Sequence, residues 1–136
     1  MTHALVDTNV LLRYLLRDDE RKFAGCERLL NAAKRREIHL ILPPIVAFEI
    51  VWILEKAYKY PKSAIRETME IILNTPELNC EMKDVLLLAV EIYERRNVKF
   101  ADAVIAAWGR DREIGVIYTY DEKDFKRVEW LEVRKP

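Results

Sequence analysis

Ala4-Leu5-Val6-Asp7-Thr8-Asn9-Val10-Leu11-Leu12-Arg13-Tyr14-Leu15-Leu16 changes its period at a single carboxylate. Before Asp7 the chain is a short apolar run, and after it Leu11, Leu12, Leu15 and Leu16 recur at helical spacing, so a strand feeds a helix there. Thr8 or Asn9 can cap that helix. Phe23, Cys26, Leu29, Leu30 and Ala33 continue with a second amphipathic helix. His39-Leu40-Ile41-Leu42 then reads as a strand stopped by Pro43-Pro44, and proline suits the first turn of a following helix. That helix, Ile45 to Tyr58, is apolar nearly all round and is predicted to be buried.

The same alternation runs to the end. Pro61 opens a helix to about Leu73, and Leu78-Asn79-Cys80 has weak strand character. Asp84 to Arg96 is helical, with Glu91 placed to pair with Arg95 one turn on. A mostly apolar helix begins at Asp102, Val116-Ile117-Tyr118-Thr119 forms a strand running to Asp121, and Trp130-Leu131-Glu132-Val133 supplies a last strand. Strands alternating with helices imply right-handed crossovers and a parallel sheet covered on both faces, which is the α/β class.

Length and composition narrow the choice further. A chain of 136 residues, 51% apolar and 34% charged, supports a real core and is expected to form one domain over 1–136. Because 23 basic residues balance 23 acidic ones, no global field draws the chain to nucleic acid, and RNA binding must use local patches. The clusters Arg13, Arg17, Arg21 and Lys22, then Lys34, Arg35 and Arg36, then Arg95 and Arg96 are candidates, although such residues also serve as solvated helix faces. Cys26 and Cys80 form neither a zinc motif nor a disulfide framework, so free thiols in a reducing cytoplasm are expected. The apolar run Ile45 to Leu54 is interrupted by Glu49 and too short to span a bilayer, so a soluble cytoplasmic protein is expected.

Several chemistries fall away for want of residues. Ser63 is the only serine and lacks the setting of a hydrolase nucleophile; His3 and His39 cannot make a histidine-rich zinc site; glycines at 25, 109 and 115 alone cannot cradle a nucleotide. What remains is a set of acids at strand ends and helix starts. Asp7 is expected at the carboxyl edge of the sheet, where open parallel sheets bind ligands. Glu49 is expected as a carboxylate buried among apolar residues, which a bound cation would relieve. Asp102 and Asp121 have capping and turn-forming explanations of their own, but their positions map to the same edge. Four carboxylates in one cleft without nearby Cys or His would favour the hard ions Mg²⁺ or Mn²⁺, and such ions activate water against phosphodiesters.

Leu5-Val6-Asp7-Thr8-Asn9-Val10-Leu11-Leu12, Phe48-Glu49-Ile50-Val51-Trp52-Ile53-Leu54, Phe100-Ala101-Asp102-Ala103-Val104-Ile105-Ala106 and Thr119-Tyr120-Asp121-Glu122-Lys123-Asp124-Phe125 resemble, in order, the acidic motifs of PIN domains. Among these the sequence is most similar to the VapC-type toxins of toxin-antitoxin pairs. The resemblance implies a three-layer α/β/α fold whose parallel sheet of four or five strands runs 3-2-1-4-5, with Asp7 and Asp121 on adjacent strands. It implies a metal-dependent ribonuclease with Asp7, Glu49, Asp102 and Asp121 as catalytic and Mg²⁺- or Mn²⁺-binding residues. Asn9 and Thr119 match polar positions that would orient a carboxylate or water, and Asp124 an outer carboxylate. It further implies a homodimer, an RNA substrate and a cognate antitoxin. The alternatives are a PIN nuclease of RNA processing or quality control and a non-catalytic PIN-like module that binds RNA or protein.

Overall fold

The computed structural model describes residues 1–136 throughout. Strand β1 (Thr2–Leu5) passes through Val6 and Asp7 into helix α1 (Thr8–Leu16), and Asp19 caps α2 (Glu20–Lys34) by accepting the Lys22 amide at 3.1 Å. Strand β2 (Ile38–Leu42) ends at Pro43, and Pro44 opens α3 (Pro44–Lys56) where its missing N–H leaves no bond unmade. Then come α4 (Lys62–Leu73), β3 (Leu78–Cys80), α5 (Lys83–Arg95) and α6 (Phe100–Asp111). The chain closes with β4 (Val116–Tyr118), a 3-10 turn at Phe125–Arg127 and β5 (Glu132–Arg134).

Every strand pairing is parallel. β1 pairs with β2 in the register His3 to His39, β2 pairs with β3 through Leu40 and Leu78, and β4 pairs with β5 through Ile117 and Val133. The α/β class, the order 3-2-1 and the neighbouring of strands 4 and 5 are thus as the sequence led us to expect. The join between strands 1 and 4 is different: β1-β2-β3 and β4-β5 are two separate sheets. The C-terminal pair is tied elsewhere. Arg96 is paired with Glu129, Arg127 donates to the Asn97 carbonyl at 2.6 Å, and the Arg110 guanidinium lies 4.5 Å from the Trp130 ring centre, all anchoring the segment to the α5–α6 end. Asp7 and Asp121 therefore do not come from hydrogen-bonded neighbours.

The core is continuous from the first sheet into the helices, with Leu40 and Leu42 of β2, Ile50 and Leu54 of α3, Ile65 and Met69 of α4 and Leu86, Val90 and Tyr93 of α5 all buried. α6 buries Ala103, Ala106 and Ala107, small side chains that allow close approach, and packs on α5. Cys26 is buried with its thiol 3.1 Å from the Val10 carbonyl, Cys80 is partly buried, and both are free. Glu91 and Arg95 pair at 3.2 Å as their spacing indicates. No helix is long and apolar enough to cross a membrane.

Two expectations of burial fail. Helix α3 is not covered all round: Ile45, Glu49 and Trp52, spaced four and three residues apart, form one exposed stripe, with both Ile45 and Trp52 63% exposed. Apolar residues on every side of a helix tell how much it can bury, and not how many neighbours the fold supplies. The sheet is likewise not covered on both faces, since Leu5 of β1 is 74% exposed.

Candidate active site

The carboxylates fall into two groups by the contacts they make. The first begins at Asp7, the N-cap of α1, whose extended backbone places Oδ1 2.8 Å from the Thr8 amide. Thr8 is the one buried polar residue of the chain. Its hydroxyl, carried on the first residue of α1, donates to Glu49 Oε1 at 3.2 Å across 41 residues of sequence. Asp7 and Glu49 are thus bracketed by one threonine, and both are exposed. The expected burial of Glu49 is corrected: it sits on the open stripe of α3, where water spares it the cost of desolvation.

The second group is built around Asp102, in the first turn of α6 and half-buried. Burial holds its carboxyl above the usual carboxylate range, and the charge and hydrogen bond of Asp124 push the same way, with Asp121 adding to the effect and Lys99 opposing it. Asp124 goes the other way. The Lys99 amide, 2.9 Å from Asp124 Oδ2, holds that carboxyl below its ordinary value, helped by the hydrogen bond from Asp102 and the charge of Arg127. Asp124 therefore stays ionised while Asp102 keeps a proton more readily. This bond also supplies the helix cap that Lys99, at the N-cap of α6, has no side chain to provide.

Asp121 is exposed just beyond β4. Thr119 shapes its turn, because the Thr119 hydroxyl accepts the Asp121 amide at 2.9 Å and donates to the Asp121 carbonyl at 3.2 Å. Thr119 thus positions the backbone that carries the acid and does not touch the carboxylate. Asn9 lies exposed in the first turn of α1. Helix α3 packs against α6 with the Phe48 and Phe100 rings edge to face at 5.5 Å, and Tyr93 meets the other side of Phe100 at 5.7 Å.

The sequence PIN domain profile matches residues 4–131. This chain belongs to the PIN domain family. A VapC ribonuclease of Aquifex aeolicus (strain VF5) is 29% identical over 124 residues, which make up 91% of this chain and 90% of that protein. Among solved structures, the crystal structure of VapBC2 from Rickettsia felis bound to a DNA fragment from their promoter aligns with 100% of this chain and 99% of its own, at 18% identity and a TM-score of 0.40.

Whether this PIN domain suits a divalent cation can be judged from its own acids. All donors are oxygens, which favours a hard ion, and Asp102 and Asp124 set two carboxyls side by side, a repulsion that a cation would relieve. In kind and pairwise the residues fit. As positioned, no three of them surround a common point, so a single ion reached by all four would require the two groups to draw together. Sequence reasoning missed Thr8 as a link, having read it only as a possible cap; the signal was a small hydroxyl residue at the start of a helix that is otherwise apolar inward. It also ranked Asp124 as an outer residue, whereas Asp124 is the stronger influence on Asp102 and Asp121 the weaker.

Proposed function

We propose that this PIN domain is an endoribonuclease that hydrolyses RNA phosphodiester bonds with Mg²⁺ or Mn²⁺, held by Asp7, Glu49, Asp102 and Asp121. The observation that carries this is the bond between Thr8 and Glu49, which ties the second acidic motif to the first through a buried hydroxyl. The exposed Glu49 gives nothing to the core, so the bond serves position. Likeness to a VapC ribonuclease supports the same activity, and the resemblance of the four acidic motifs to VapC-type toxins extends the proposal to a toxin that works as a homodimer and is silenced by an antitoxin.

When bound, the ion supplies an acidified water and neutralises charge that builds on the phosphate. The chain's own residues do the rest. Thr8 keeps the Glu49 carboxylate turned toward Asp7, and the Lys99 amide keeps Asp124 ionised beside Asp102.

Incubating the protein with structured and unstructured RNAs in Mg²⁺, Mn²⁺ or chelator, and mapping the ends, tests the reading. Cleavage in either metal that stops in chelator, leaving 5′-phosphate and 3′-hydroxyl ends, is expected. Full cleavage in chelator, or cyclic-phosphate ends from attack by the RNA 2′-hydroxyl, would overturn it.

A further inference from the structure

A groove of about 560 Å³ lies between α3 and α6, and its wall includes Glu49 and Ala101, the neighbour of Asp102. A ligand seated in it meets Glu49 of the first carboxylate group. Trp52 forms part of the wall with most of its indole open to water, while the other aromatic rings of the groove, Phe48 and Phe100, are locked edge to face. An exposed indole contributes little to folding and offers a flat face to a ligand.

Lys56, Lys62 and Lys99 line the groove with Glu49 and Glu55. Glu55 is already answered, by Lys56 Nζ at 3.3 Å and by the Tyr93 hydroxyl. Lys62 is fixed in place, its Nζ donating to the Val98 carbonyl at 2.9 Å and resting 4.4 Å from the Tyr93 ring centre. Lys99 alone of the three makes no ion pair and no side-chain hydrogen bond, whereas much of the basic charge conspicuous in the sequence is held in surface pairs, as with Arg13 and Asp18, Arg35 and Glu37, and Arg96 and Glu129.

An open aromatic face in a groove that also carries an unpaired lysine suits a nucleic-acid strand, whose bases stack and whose phosphates seek cations, whatever the base sequence. We infer that this groove takes an unpaired stretch of the RNA substrate, with one base stacked on Trp52 and an adjoining phosphate against Lys99. The inference rests on the ribonuclease reading. It makes Trp52 a binding residue that selects single-stranded over duplex RNA next to the scissile bond, because a paired base has both faces occupied.

The test is fluorescence anisotropy in chelator with an end-labelled single-stranded RNA of about ten nucleotides, a length one such groove and its flanks can engage. A gel confirms that the strand stays intact. Trp52→Ala is expected to weaken binding about tenfold and Trp52→Phe much less, and on a strand of abasic sites Trp52→Ala should change nothing. Lys99→Ala should lower the salt slope of binding by roughly 0.7, the share of one phosphate contact on a single strand. Unchanged binding by Trp52→Ala, or an equal loss on the abasic strand, overturns the inference. So does a Trp52→Ala chain that sediments as a smaller species than the wild type, which would give the stripe to a second copy. Cleavage by the wild type in Mn²⁺ separates the failures: if it cuts RNA and Trp52→Ala binds normally, the groove alone is wrong, and if it cuts none, the ribonuclease reading falls first.

Discussion

The two carboxylate groups are held in opposite ways. Asp7 and Glu49 are exposed and each rests on Thr8, Asp7 accepting from its amide and Glu49 from its hydroxyl. Asp102 and Asp124 are half-buried neighbours, with the Lys99 amide on Asp124, and the Asp102 carboxyl is raised first by burial and then by Asp124. The first group is set by packing and a hydroxyl; the second is set by electrostatics. Substitutions should therefore separate them by what they change.

The largest effect is expected where the groups act together. Asp7→Asn and Asp102→Asn each keep volume and remove a charge, and each should lower kcat/KM for RNA cleavage in Mn²⁺ by roughly a hundredfold or more. Circular dichroism should show both variants folded. A folded Asp7→Asn with wild-type cleavage would leave the first group outside the chemistry and break the comparison at its base.

A smaller effect isolates the hydroxyl. Thr8→Val preserves shape in its buried position but frees Glu49, and cleavage should fall about tenfold, as for other residues that orient a metal-binding group. Thr8→Ser should restore most of it. Stability should move little, because the exposed Glu49 finds water when the hydroxyl is gone. Full activity in a folded Thr8→Val protein would make the bond incidental.

How far these features could be read from the chain varies with the physics behind them. The Asp7 boundary was legible because a period change at a carboxylate is local, and Asp7 does cap α1, displacing Thr8 and Asn9 from that role. The parallel sheet was legible in the alternation of strands and helices, and the order 3-2-1 came from the resemblance of the motifs to PIN domains. The separation of β4-β5 from β1 was not legible, since it is decided by distant anchors such as Arg127 on the Asn97 carbonyl and Arg110 on Trp130. Glu49 shows the limit from the other side: its apolar neighbours at three and four residues signalled burial, but two of them, Ile45 and Trp52, are themselves exposed. Periodicity reveals which residues share a face, and only the packed fold reveals which face is covered.

The smallest effect, and the one that most sharpens the comparison, is the opposite response of Asp102 and Asp124 to pH in the metal-free protein. Asp102 has its carboxyl raised by burial and by Asp124, so the folded chain binds that proton more tightly than the unfolded chain does. Its contribution is present below the ordinary carboxylate value near pH ~4 and is lost as pH rises through the raised value. Asp102→Asn, which is neutral at every pH, should therefore melt above the wild type at pH 7 and lose that advantage in acid. Asp124 has its carboxyl lowered by the Lys99 amide, so its contribution is present above pH ~4 and disappears as pH falls through the lowered value. Asp124→Asn weakens the bond that caps α6 and should melt below the wild type at pH 7, by under about 1 kcal/mol, because solvent screens the site and loss of the charge also relieves Asp102. Melts of the three proteins in chelator from acid to neutral pH would show the two variants displaced in opposite directions at pH 7 and converging on the wild type in acid. Displacement of both in the same direction at neutral pH would mean that the two acids do not form a pair with divided roles, and that the second group is held as passively as the first.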